Sequence, residues 1–200
     1  MRAPPQSEVC SVWPIMKQQS FFKPGKFQRE HGGALSMGKR RSRRPLSTKE
    51  PLHLTLRSER AQGGRCLLRH RPLIEGTIQK ASRRFCVRVY EQAICSNHLH
   101  LLVYGKSRQD LQNFFRVVAG HIAQAILREF PLSPRERGGA PGGKAGHPKN
   151  RRQFWALLLY SRVLTWGREF KSVKKYVIQN ILEALGAIAY KPRKHRRNTS

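Results

Sequence analysis

Hydrophobic and polar positions first alternate cleanly at PLHLTLRS, residues 51–58. Leu52, Leu54 and Leu56 point one way and His53, Thr55 and Arg57 the other, the period-two pattern of a half-buried strand. Two glycines between Ala61 and Arg65 predict a turn. The spacing over Leu73 to Arg84 then changes to that of an amphipathic helix, with Ile74, Ile78 and Ala81 or Ser82 on one face. FCVRVYEQAI, Phe85 to Ile94, is rich in β-formers and predicts a second strand. A break near Ser96 leads into HLHLLVYG, a third strand closed by Gly105. Ser107 followed by Asp110 has the form of a capping box. A long helix follows to about Phe130, with Leu111, Phe115, Val118, Ile122 and Ile126 as its apolar stripe. FWALLLYSRVLTW, Phe154 to Trp166, predicts a fourth strand with its turn. A last helix runs from about Phe170 to Leu185, striped by Phe170, Val173, Val177, Ile181 and Leu185, with Gly186 as its stop. The first six elements have the ferredoxin-like order βαββαβ, an α+β fold in which two helices cover one face of an antiparallel sheet. The seventh, a C-terminal helix, is additional.

The flanks look different. Residues 1–44 are rich in Pro, Gly, Ser and basic residues, lack periodicity and end in KRRSRR, so a basic flexible N-terminal arm is expected. Met37 lies within it as an alternative start. The ordered domain is expected over 45–190. It is interrupted at 133–152, where five glycines and three prolines among basic residues predict a flexible loop. Residues 191–200 form a basic tail.

Charge narrows the partners. Lys and Arg number 40 against 11 Asp and Glu, a net +29. Such a surface calls for a polyanion, and nucleic-acid phosphate is the usual one. The cations are scattered over all segments rather than gathered on one amphipathic helix, which argues against a membrane-surface binder. Cys10, Cys66, Cys86 and Cys95 form no CxxC pair, so neither a disulfide framework nor a zinc ribbon is indicated and a reducing compartment fits. No apolar run approaches the roughly 20 residues of a bilayer span, and the N-terminus has no secretory apolar stretch. A cytoplasmic location is expected.

Two stretches carry chemistry. In SNHLHLLVY, residues 96–104, strand alternation puts His98 and His100 on the same face, about 7 Å apart along the strand. Two imidazoles so placed can hold one cation, or can simply face solvent. A zinc site of Cys95, His98 and His100 lacks a fourth ligand at a suitable spacing. In KKYVIQN, residues 174–180, Tyr176 and Asn180 are four apart and share a helical face, at the edge of the apolar stripe. Glu183 falls seven residues after Tyr176 on that face, as a further ligand or base or as a solvated helix residue. Trp155, Trp166, Phe114 and Tyr104 are candidate stacking surfaces for bases, or core rings.

Taken together, the HxH strand and the later Tyr-x-x-x-Asn helix resemble the HUH single-strand tyrosine transposases, and among them the REP-associated tyrosine transposases of bacteria. NHLHLL, Asn97 to Leu102, is similar to that family's NHxHLL motif. YVIQNILEALG, Tyr176 to Gly186, resembles its nucleophile helix, and PLHLTLRS its opening strand. The resemblance covers about residues 45–190. It departs from the family at Cys95 and Ser96, where many relatives have Met and Pro, and at Ile181 and Leu182, where Pro and Val are frequent. It implies His98, His100 and Asn180 as ligands of Mg²⁺ or Mn²⁺ and Tyr176, on the C-terminal helix, as the nucleophile. The activity implied is a metal-dependent transposase or nickase that cleaves and rejoins single-stranded DNA through a 5′-phosphotyrosine beside REP-like hairpins. The implied setting is a bacterial cytoplasm, associated with the nucleoid, with the chain a monomer or homodimer. Lys174, Lys175, Arg151 and Arg152 are candidate DNA contacts. The competing expectation, from charge alone, is a non-catalytic basic nucleic-acid-binding protein, a degenerate transposase or a ribosomal-type domain.

Overall fold

A computed structural model describes residues 29–38, 42–133 and 154–189. The expected arm, loop and tail lie largely outside these residues, as do Arg151 and Arg152.

The elements are β1 (Glu30–His31), β2 (Leu52–Arg57), α1 (Arg71–Arg84), β3 (Val87–Ile94), β4 (His98–Gly105), α2 (Arg108–Glu129), β5 (Tyr160–Val163) and α3 (Arg168–Ala184). The strands form one sheet in the order β1-β5-β2-β4-β3, every pairing antiparallel. The four predicted strands are therefore arranged as the ferredoxin-like pattern requires, with β2 and β4 at the centre. β1 extends the sheet by two residues, from a stretch that hydropathy assigned to no element.

One face of the sheet carries the core. Leu52, Leu54 and Leu56 of β2 stand opposite Val103, Leu101 and Leu99 of β4, and all six are buried. They pack against Ile74, Ile78 and Ala81 of α1 and Leu111, Phe114, Phe115, Val118, Ile122 and Ile126 of α2. Removing each large side chain from water contributes about 1.5–3 kcal/mol, so this layer supplies most of the driving force for folding. Both helices begin where local chemistry permits. Pro72 occupies the first turn of α1, where no N–H is required. The Ser107 hydroxyl accepts from the Asp110 N–H at the start of α2, the cap that the sequence predicts.

The fourth strand is shorter than its apolar run. Pairing covers only Tyr160–Val163, because residues 154–158 run as a series of bends, tied to the end of β2 by the Ala156 N–H donating to the Arg57 carbonyl. Phe154 drops into the core, and the Trp155 indole N–H donates to the Ala119 carbonyl on α2 at 2.8 Å. Gly32 explains how the chain turns after β1. It has φ +85°, and a Cβ there would fall 2.0 Å from the Leu159 carbonyl oxygen.

The other face of the sheet is covered by α3, and here the predicted stripe needs correction. Val177 is buried, but Leu185 is 55% exposed, and the second buried residue of the helix is Asn180, at 3% exposure. The helix is rotated so that a polar side chain faces inward. Gly186, with φ +73°, ends it by donating its N–H to the Glu183 carbonyl, as expected of a left-handed terminator.

Candidate active site

The register of β2, β4 and β5 assembles a polar patch beneath α3. Thr55 stands opposite His100, Arg57 opposite His98, and His53 opposite Leu102. On the other side of β2, His53 faces Arg162 and Thr55 faces Tyr160. Directly opposed residues share a face, so two predicted histidines and a third, His53, lie together on the side opposite the leucine core.

Each ring is held. The His98 and His100 centroids are 4.9 Å apart. His98 Nδ1 meets Asn97 Oδ1 at 2.8 Å. His100 Nδ1 meets Thr55 Oγ1 at 3.1 Å and His53 Nε2 at 3.2 Å, and the His53 and His100 rings stack at 5.2 Å. Holding one ring nitrogen fixes the tautomer and aims the other. In the tautomer with Nδ1 protonated and donating, Nε2 is the acceptor nitrogen of each ring. Burial, assisted by the positive Arg162 side chain, pushes the His53 pKa down to about 4. His53 is therefore neutral near pH 7 and able to accept the His100 proton.

Tyr176 comes to the same place. Its ring centroid lies 5.4 Å from that of His100 and 6.1 Å from that of His53, edge to face in both cases. Asn180 follows one turn later, about 5.4 Å along the helix. Its Nδ2 donates to the Tyr176 carbonyl at 2.7 Å, so Oδ1 is the end of the amide turned to other partners. His98, His100 and Tyr176, from two distant stretches, thus lie together, and Asn180 follows Tyr176 on the inward face of α3.

Other candidates fall elsewhere. Lys174 pairs with Glu91 at 3.1 Å, on the β3 side of the helix, and Lys175 is exposed. Glu183 accepts from Gln179 at 2.8 Å. Tyr160 shares the histidine face, but burial and the neighbouring Glu30 carboxylate push its phenol up to about 12, which disfavours a phenolate there. Among the described residues no three His, Cys, Asp or Glu side chains cluster as a cation cage.

His53 and Arg57 carry no role in the sequence reading. The signal was available: both alternate with the leucines of PLHLTLRS, so pairing that strand next to β4 puts them beside the HxH face. The pairing was what the sequence did not state.

No protein-family model matches the chain, and no curated protein matches it. Among solved structures the chain is similar to a REP-associated tyrosine transposase bound to a REP hairpin, at 10% identity, TM-score 0.48 and 74% coverage of each chain. It is also similar to a candidate transposase of Deinococcus radiodurans, at 12% identity and TM-score 0.39, over 72% of this chain and 98% of the other. Among the described residues no helix is long and apolar enough to cross a membrane.

Proposed function

We propose that the chain is a metal-dependent single-stranded-DNA transposase or nickase that cleaves and rejoins DNA through a 5′-phosphotyrosine on Tyr176. The observation that carries this reading is the Tyr176 ring centroid 5.4 Å from that of His100, itself 4.9 Å from that of His98, on a helix whose buried residues include Asn180.

The donor set fits a divalent cation. His98 and His100 are each secured through Nδ1, and the Asn180 amide is secured through Nδ2. Two imidazole nitrogens and one amide oxygen would hold Mg²⁺ or, with its greater tolerance of nitrogen, Mn²⁺. All three donors are neutral, so a bound ion keeps its full charge to polarise a phosphate.

The remaining chemistry belongs to the chain. The Tyr176 oxygen attacks the phosphorus in line. A phosphotyrosyl bond forms, the bond to the 3′ oxygen breaks, the phenolic proton passes to water and the departing oxygen is protonated to a 3′-hydroxyl. The new ester conserves the linkage, so the hydroxyl of a second strand end can reverse the step and rejoin DNA without ATP. Arg57, exposed and opposite His98, is placed to contact a phosphate. A phosphate reaching a tyrosine beneath a helix must come from a strand that bends, which favours single-stranded DNA beside a hairpin. One chain supplies both histidines and tyrosine, so a monomer suffices, and the setting is the bacterial nucleoid.

The test is an oligonucleotide carrying a hairpin with a single-stranded flank, incubated with the protein and Mn²⁺ or Mg²⁺. A denaturation-resistant protein–DNA adduct should form, vanish with EDTA and vanish in Tyr176→Phe, while binding persists. Salt-sensitive binding with no adduct under any metal condition would instead establish the non-catalytic basic binder.

A further inference from the structure

At the other end of α3 a ring cluster has no part in that chemistry. Trp166, just before the helix, lies 5.1 Å from Phe170, 5.9 Å from Tyr90 and 5.8 Å from Tyr104. The interplanar angles are 47°, 82° and 59°, so none of these rings stacks flat on the indole. Trp166 remains 46% exposed. Its N–H donates to the Lys49 carbonyl at 2.8 Å, which fixes the ring while leaving it in water. A large apolar ring held rigid at the surface is a feature that packing alone does not require.

Its surroundings are cationic. Lys49, Arg88, Lys106, Arg168 and Lys171 are all exposed. Arg88 sits over the Tyr90 ring, 6.0 Å from its centroid, and Arg168 and Lys171 lie in the first turn of α3 with Glu169, whose carboxylate pairs with Arg162 at 2.6 Å. An exposed aromatic face among cations matches an unpaired nucleobase with its flanking phosphates. Tyr104 lies on the same strand face as His98 and His100, three and two alternations away respectively, so the cluster is on the side of the sheet that carries Tyr176. Trp166 precedes Tyr176 by ten residues, about 15 Å along the helix. That is on the order of four nucleotides at a stacked strand's rise of about 3.4 Å.

We infer that Trp166, edged by Phe170, Tyr90 and Tyr104, is a stacking platform for one unpaired base of the DNA strand that enters the Tyr176 site. The identity of the ligand rests on the reading above, but the binding event does not depend on cleavage.

The experiment therefore uses the cleavage-dead Tyr176→Phe full chain. It compares affinity for a short oligothymidine with that for an abasic strand of the same length and charge. The thymidine strand should bind roughly five- to a hundredfold more tightly, the range for one stacked base, and should quench tryptophan emission. Trp166→Leu should remove that preference and leave abasic-strand affinity unchanged. Trp166→Phe, which keeps a ring, should retain most of the preference and lose the quenching. Equal affinity for the two strands, or a preference undiminished in Trp166→Leu, would overturn the platform. Neither result depends on whether wild-type protein forms an adduct, so failure here and failure of the catalytic reading are separate outcomes.

Discussion

Replacing His53 by leucine probes how the site is held without touching a proposed ligand. The change deletes the 3.2 Å contact to His100 Nδ1 and leaves the 3.1 Å contact of Thr55 to that nitrogen. Loss of such an outer partner typically lowers metal affinity about 10- to 100-fold, or about 1.4–2.7 kcal/mol. Mn²⁺ titration by calorimetry should show a weakening of that size in His53→Leu. Thr55→Val should weaken binding too. Because both partners hold one nitrogen, the double variant should depart from the sum of the singles by at least about 0.5 kcal/mol. The metal-free protein offers a second readout. The folded-state pKa of His53 is depressed to about 4 from 6.5. As pH falls from 6.5 towards 4, the unfolded chain takes up a proton that the folded chain refuses. Stability should therefore fall across this window, by about 3 kcal/mol at its acid end, and His53→Leu should flatten that fall. A folded His53→Leu protein with unchanged Mn²⁺ affinity, alongside His98→Ala with none, would refute the proposed support of His100.

Three further outcomes are expected. Tyr160→Phe should leave adduct formation within about threefold of wild type, because its phenol is held protonated by burial and Glu30; loss of the adduct would shift the nucleophile to Tyr160. Burial alone would raise the Glu169 pKa, but hydrogen bonds from Thr165 and the charge of Arg162 outweigh it and hold the carboxyl below its usual range. The stability this confers is present above about pH 4.5 and lost as pH falls below it, so acid melts of Glu169→Gln should show a smaller loss there than wild type. Phe114→Ala, at a position with no exposed surface, should cost about 3–5 kcal/mol in denaturant unfolding, and a cost under about 1 kcal/mol would contradict the core described.

The leucine alternation of β2, the capped stripe of α2 and the apolar face of α1 were legible because burial there follows strand or helix period. β5 was overread because an apolar run of that length does not distinguish a strand from a bent segment packed on the core: Phe154 is buried in the core cluster and Trp155 bonds to α2. In α3 the expected stripe residues Phe170, Val173, Val177 and Ile181 are buried or half-buried, but Leu185 lies past the helix end and is exposed, and the inward face also takes Asn180, which an apolar stripe does not mark. His53 was legible as a strand residue only; its meeting with His100 depends on β2 pairing with β4 in one register out of several, and a slip of one residue would move it to the leucine face.

The two faces of β2 and β4 serve as controls for one another. On one, six aliphatic side chains meet two helices with no polar atom among them. On the other, the same strands present His53, Thr55, Arg57, His98 and His100 to a single helix, which answers with Tyr176 and Asn180. Leu102 and Val177, both buried, show that apolar packing is available on this side and is used where it suffices. Burying imidazole and amide groups costs free energy unless each finds a partner, and a helix needed only as a lid would dock more stably on leucines. The polar set therefore lowers stability relative to what the same backbone could hold, and part of that cost falls where His53, His100, Tyr176 and Asn180 lie on facing elements. A purely structural interface gives no reason for that choice; the cation and phosphate proposed above would.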